Sequence, residues 1–134
     1  MSNPCPDHCN VLLIGGGGRE HAIAWKISQS AKLGKLYATD CSNGGIASFA
    51  EPCDEKWDLD RLFFLKRWCD RHEINFIVVG PEVPLAEGIV DELSTESRLV
   101  FGPTKDGAKI ESDKSYAKDL MRQASIPTAD ARCF

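Results

Sequence analysis

Four consecutive glycines, Gly15-Gly16-Gly17-Gly18, follow directly on an apolar run at residues 11–14 and lead into a helical pattern. Glycine adopts backbone angles closed to other residues and has no side chain to hold a partner away. Such a run fixes a sharp strand-to-helix reversal and leaves bare N–H groups at its tip. The helix behind it adds the partial positive charge of its N-terminus, so the natural guest is a phosphate. A tight turn that binds nothing needs fewer glycines, and the run therefore points to a ligand.

Three further apolar runs, at residues 36–39, 76–79 and 99–101, share the character of the first. Their apolar residues are successive rather than alternating, as in strands covered on both faces. Helical patterns lie between them. Ile23, Ile27 and Ala31 recur at four-residue spacing. Leu59, Leu62, Phe63 and Cys69 mark a face after Asp58, a candidate N-cap. Ala86, Ile89, Val90 and Leu93 follow i, i+3, i+4, i+7, with Pro84 suited to the first turn. Strands alternating with helices predict an α/β fold: a Rossmann-like parallel sheet with right-handed crossovers and helices on both faces.

Residues 46–57 include Glu51, Asp54 and Glu55 and predict irregular chain or a short edge strand. After Gly102-Pro103 the pattern turns into a helical linker. Ala117, Leu120, Met121 and Ala124 form its apolar stripe, Ser112 is a candidate N-cap, and Ile126-Pro127-Thr128 ends it. A further strand is expected to begin at residues 131–134, which reads as a chain that continues. The layout is a leader at 1–9, an α/β domain at 10–104 and a linker from 105 onward.

With 134 residues the chain suits one domain with its own core. Sixteen Lys and Arg against 20 Asp and Glu give a net charge of -4, which argues against a nucleic-acid partner but not against a local anion site. No apolar run approaches the ~18 residues of a membrane span. The opening residues lack the basic and apolar regions of a secretory signal, so a cytoplasmic protein is expected. The six cysteines form no C-x-x-C pair, and no histidine pair has metal-ligand spacing, so no metal site is expected. Cys5 and Cys9, near His8, read as reduced thiols in a flexible leader.

The dinucleotide fingerprint G-x-G-x-x-G/A is not met. Counted from Gly15 its third small residue falls on Glu20, and from Gly16 on His21. Asp40, at the end of the second apolar run, does sit near the ribose-binding position of a dinucleotide fold, which leaves a nicotinamide reading as an alternative.

A more specific pattern covers nearly the whole chain after residue 9. Gly15 to Lys26 reads GGGGREHAIAWK, Val79 to Asp91 reads VGPEVPLAEGIVD, and Phe101-Gly102-Pro103-Thr104 follows. Glu111-Ser112-Asp113-Lys114-Ser115 and Ile126-Pro127-Thr128-Ala129 come next. Taken in order, these segments resemble the motifs of the glycinamide ribonucleotide synthetase family (phosphoribosylamine–glycine ligases): G-x-G-G-R-E-H-A-x-A-W-K, V-G-P-E-x-P-L-x-x-G-x-x-D, F-G-P-[TS], E-x-S-K and I-P-T-A.

The resemblance implies the N-terminal (pre-ATP-grasp) domain of an ATP-grasp ligase. That family joins glycine to 5-phosphoribosylamine with ATP, through a glycyl phosphate, early in purine synthesis. It further implies that this segment binds the phosphoribosylamine and is inactive alone, with no catalytic residue of its own. Gly16, Gly17 and Gly18 would cradle the 5-phosphate, with Arg19 as charge partner. Glu82, at the carboxyl end of a strand, would accept hydrogen bonds from the ribose hydroxyls, or else only favour the next helix's N-terminus. Lys114 would reach the ATP phosphates. ATP and Mg2+ (or Mn2+) belong to the full-length enzyme, none being expected in this segment, and the remaining ATP-grasp domains would follow residue 134. His21 is expected to anchor the loop by a hydrogen bond.

One loop departs from the family pattern. Where P-G-N-x-G is usual, this chain has Cys41-Ser42-Asn43-Gly44-Gly45. Asn43, a candidate substrate contact, and Gly45 remain, but the turn-setting proline and first glycine do not. The alternative reading is a stand-alone module that binds a phosphosugar or nucleotide.

Overall fold

The computed structural model describes residues 6–130. The strand expected at 131–134 and the leader thiol Cys5 lie outside the described residues, whereas Cys9, expected in the flexible leader, is buried as the first residue of the first strand. Five strands form one all-parallel sheet in the order β3-β2-β1-β4-β5. They are β1 (Cys9–Ile14), β2 (Leu33–Ala38), β3 (Glu51–Pro52), β4 (Ile74–Val79) and β5 (Leu99–Phe101). The helices between and after them are α1 (Gly18–Ser28), α2 (Gly44–Ala47), α3 (Leu62–Arg71), α4 (Glu82–Glu87), α5 (Ile89–Leu93), α6 (Lys105–Ser112) and α7 (Lys114–Gln123). The chain runs from β1 to one edge, returns to β4 on the other side of β1, and continues outward. The strand order therefore reverses between β1 and β4, where such sheets open a crevice at their carboxyl ends. Gly15 and Gly80 stand at that point, and the Gly80 amide donates to the Ile14 carbonyl at 3.0 Å.

The apolar runs are continuous because both faces are covered. On one face Leu12, Ile14, Ile77 and Val79 pack with Leu65 and Trp68 of α3 and Ile89 and Leu93 of α5. On the other, Val11, Leu13, Ala38 and Val78 meet Ala24 of α1 and Ile46 of α2. In register, Val11 pairs with Phe76 and Leu13 with Val78, so like faces align across the central strands. The residue 46–57 stretch does form an edge strand, but only the two residues of β3, beside Tyr37 and Ala38.

Three helical patterns differ in detail. α1 ends at Ser28, leaving Ala31 exposed in the turn before β2, and its fully buried residues are Glu20 and Ala24. In α3 the buried set is Leu62, Leu65, Trp68 and Cys69, while Phe63 is 64% exposed; the true stripe starts at Leu62, and Phe63 lies about 100° around the helix. Asp58 does cap, accepting from the Asp60 amide, but it opens a 3-10 turn at Leu59–Arg61 ahead of α3. The third pattern is broken in two. Gly88 takes φ +97 and its amide closes α4 on the Leu85 carbonyl at 3.0 Å, after which α5 restarts with its buried face still toward the core. Ser112 ends α6, and the N-cap of α7 is Asp113, which accepts from the Tyr116 amide at 3.0 Å.

Candidate functional site

The loop after β1 is built over a carboxylate. Glu20, in the first turn of α1, is 4% exposed and folds back beneath the glycines. Its Oε2 accepts from the Gly17 amide at 2.7 Å, and its Oε1 accepts from Arg19 Nε at 3.0 Å. An acidic residue three positions after the N-cap that bonds the cap's own amide is half of a capping box. The carboxylate fills the space that side chains at Gly15 and Gly80 would need: a Cβ on Gly15 would lie 2.8 Å from Glu20 Cγ, and one on Gly80 would overlap the carboxylate outright. Gly15 also requires its left-handed φ of +118, which a residue with a Cβ rarely adopts.

The four loop amides are thereby divided. Gly15 donates to Thr39 Oγ1 at 3.2 Å and Gly17 to Glu20. Among the described residues, no acceptor pairs with the amides of Gly16 and Gly18. A Cβ on Gly18 would meet nothing within 4 Å, so nothing in the fold covers that position. Two amides at the N-terminus of an 11-residue helix are left for an anion.

The loop after β2 locks the first one in place. Asn43 Nδ2 donates to the carbonyls of Gly16 at 3.1 Å and Gly17 at 3.4 Å, while its Oδ1 accepts from the Gly45 amide at 3.0 Å and caps α2. His21 lies flat where a side chain on Gly45 would go and stacks on Phe49 with ring centroids 6.1 Å apart. Packing, rather than the expected hydrogen bond, is how His21 holds the two loops together. The departure at Cys41-Ser42 is absorbed by Asp40, whose Oδ1 accepts from the Ser42 hydroxyl at 2.6 Å and the Ser42 amide at 2.9 Å. Those bonds, with a smaller contribution from Lys56, hold the Asp40 carboxyl below its usual range. Burial first, and the Asp40 charge second, push the neighbouring Cys41 thiol up.

Arg19 and Glu82 are brought together from different ends of the site. Arg19 Nη2 stands 3.5 Å from Glu82 Oε2, and both side chains are 58% exposed. Glu82 opens α4, where its own backbone amide first, and Arg19 second, hold its carboxyl below the usual range. Glu82 thus does favour the helix start, and its pairing with Arg19 ties it to the glycine loop. Lys114 is the first residue of α7, on a separate helix after β5, and is exposed. Lys118, one turn further along α7, donates to Thr128 Oγ1 at 2.6 Å and the Ala129 carbonyl at 2.7 Å.

A cavity of about 650 Å3 opens on the β2 side of the glycine loop, lined by Gly15, Gly16, Thr39, Asp40, Lys56 and Trp57 among others. Among the described residues no group of three or more His, Cys, Asp or Glu side chains is placed to hold a metal ion. No helix among them is long and apolar enough to cross a membrane.

The family model described as "Phosphoribosylglycinamide synthetase, N domain" matches residues 9–111, which include the glycine loop, Asn43 and Glu82 but stop short of Lys114. The chain belongs to that family. A phosphoribosylamine--glycine ligase of Nostoc sp. is 43% identical over 124 residues, covering 92% of this chain and 29% of the relative. One from Mesorhizobium japonicum is 48% identical over 120 residues, covering 90% and 28%. The trifunctional purine biosynthetic protein adenosine-3 of Drosophila melanogaster is 46% identical over 129 residues, 92% of this chain and 9% of that protein. The chain therefore spans less than a third of the length of these curated relatives. The crystal structure of K. lactis urea amidolyase aligns with a TM-score of 0.59 at 16% identity, over 90% of this chain and 8% of that one. At that identity it shows the fold alone.

For a synthetase N domain, two groups of residues were not legible as site residues in the sequence. Glu20 reads there only as a failed third glycine, although its place three residues after Gly17 was the signal for a capping partner. Lys56 and Trp57 come from a stretch without periodicity, and only the pairing of β3 beside β2 brings them to the rim.

Proposed function

We propose that this chain is the phosphoribosylamine-binding domain of a cytoplasmic phosphoribosylamine–glycine ligase acting in purine biosynthesis. Residues 10–104 form that domain, and from residue 105 the helical linker leads into an ATP-grasp domain. The observation that supports this most is the pair of unclaimed amides, Gly16 and Gly18, at the start of α1 over the buried Glu20. They suit a single sugar-borne phosphate. Gly17 contributes by lying between them, its own amide being given to Glu20. Glu82 accepts the ribose hydroxyls, with Arg19 holding its charge and orienting it. Asn43 acts as a positioning residue, since both ends of its amide already hold loop backbone.

ATP and a divalent cation such as Mg2+ bind in the remainder of the enzyme, where they activate the glycine carboxylate. Lys114, an exposed donor at the start of α7, is the residue of this segment proposed to meet an ATP phosphate. What the domain supplies is orientation: it holds the amine of phosphoribosylamine toward that activated carboxylate and excludes misaligned attack. Glycine itself is bound elsewhere in the enzyme.

One observation favours a dinucleotide instead: Asp40 lies against Gly16, near the place of a ribose-binding acid. Against it, Glu20 occupies the position where that fold needs a small residue. Calorimetry with the 134-residue chain separates the two. Ribose 5-phosphate, the stable stand-in for phosphoribosylamine, is expected to give heat and NAD none; heat with NAD alone would overturn the proposal.

A further inference from the structure

The phosphate of a bound sugar needs a cation, and the residue next to the loop is poorly placed to provide it. Arg19 is already shared between two carboxylates, Glu20 at 3.0 Å and Glu82 at 3.5 Å. A dianion arriving at Gly16 and Gly18 would have to compete with both. The carboxylates around the loop, Glu20, Asp40 and Glu82, outnumber Arg19, so the site without another cation repels what it is built to take.

One other cation is at hand. Lys56, on the loop between β3 and the 3-10 turn, lines the cavity of about 650 Å3 that also exposes Gly16. Among the described residues lining that cavity, which also include Asp40, it is the one positive charge. It makes no ion pair at contact distance, although its field reaches Asp40. Its neighbour Trp57 is half-buried and packs against the core cluster under β2 and α3, which fixes where the loop delivers the lysine. Asp40 in turn has Oδ1 bound by Ser42, leaving Oδ2 beside Gly16 as an acceptor for a hydroxyl or amine. The cavity thus offers one cation, one acceptor, one bare amide and an indole wall. That set matches a phosphorylated sugar and gives no second cation for the paired phosphates of a dinucleotide.

We propose that Lys56 is the residue that neutralises the ligand's phosphate and sets the site's preference for phosphorylated over unphosphorylated ribose. The inference rests on the phosphosugar reading above and adds the residue that carries its charge recognition. A lysine ammonium meets a phosphate as a point charge, and its contribution is screened by salt when the site is open.

The test is calorimetric titration of the 134-residue chain and three variants with ribose 5-phosphate and with ribose, at low and at moderate salt. Lys56→Met removes the charge and keeps the stem, Lys56→Arg restores charge, and Lys35→Met removes an exposed lysine that pairs with Glu51 at the far end of β2. Circular dichroism confirms that each is folded; because Lys56 is exposed, all are expected to be. The expected result is a loss of at least about tenfold in affinity for ribose 5-phosphate in Lys56→Met, diminishing as salt is added. Lys56→Arg should regain most of it, Lys35→Met should match the parent, and weak binding of ribose should not change. If the parent binds ribose 5-phosphate and Lys56→Met binds it equally, Lys56 is not the phosphate's partner, and the phosphosugar reading stands. An equal loss in Lys35→Met also overturns the role of Lys56, since the effect is then general charge. Absence of binding by the folded parent overturns both together.

Discussion

Gly80→Ala puts a methyl group into the carboxylate that supports the glycine loop. A Cβ built on Gly80 overlaps Glu20, and Gly80 cannot retreat because its amide is bonded to the Ile14 carbonyl at 3.0 Å. Glu20 must therefore move, giving up its 2.7 Å bond to the Gly17 amide. Losing a hydrogen bond to a charged group costs about 1.5–3 kcal/mol, and overpacking a close-packed site costs about 1–3 kcal/mol. The single substitution should thus destabilise by about 2.5–6 kcal/mol, and Glu20→Ala alone by about 1.5–3 kcal/mol. In the double variant the methyl group has nothing left to strike. Gly80→Ala should then add less than about 1 kcal/mol, so the two costs fall short of additive by about 1.5 kcal/mol or more. Urea unfolding followed by circular dichroism, with all four corners of the cycle measured, gives the coupling directly. Costs that add to within about 0.5 kcal/mol would refute the placement of Glu20 beneath the loop.

Gly88→Ala tests the break between α4 and α5. In an unbroken helix alanine would stabilise by about 1 kcal/mol, whereas at φ +97 a Cβ costs about 1–2 kcal/mol, so the melting temperature should fall and a rise would show a continuous helix. Trp68 is buried with its Nε1 unpaired among the described residues, stacked on His72 at 3.9 Å. Trp68→Ala should cost about 3–5 kcal/mol, while Trp68→Phe, which removes the unpaired N–H, should cost distinctly less in the same unfolding assay. Burial pushes the thiols of Cys53 and Cys69 up to about 12 and about 11, from 9.0 when exposed. The unfolded chain then sheds these protons first, so stability should be full below pH 9 and decline as pH rises toward 11–12. Thermal melts across that range check the decline, and stability increasing there would contradict it.

The sheet was legible because its signal is composition: residues 11–14 and 76–79 are apolar on both faces, and no other element hides such runs. Helix limits were less so, because Gly88 within an apolar repeat looks the same whether it continues a helix or closes one. Phe63 was misread for a related reason. Its periodicity fits a face, but that face has no layer to meet and Leu65 and Trp68 take the core instead. At the site, the glycine loop, Arg19, Glu82 and Asn43 were visible as a motif, whereas the division of labour among the four amides was not. That division depends on Glu20 turning inward and Asn43 reaching across from another loop, contacts over distances that spacing along the chain does not encode. Lys56 was invisible for the same cause, since only the β3–β2 pairing brings it near.

The most direct measurement is a 15N-resolved amide titration of the chain with ribose 5-phosphate. The Gly16 and Gly18 amides should shift strongly on binding, the Gly17 amide should move less because Glu20 keeps it, and unphosphorylated ribose should leave all three nearly still. Resonances of Gly16 and Gly18 that stay in place at saturating ribose 5-phosphate would show that this loop receives no phosphate.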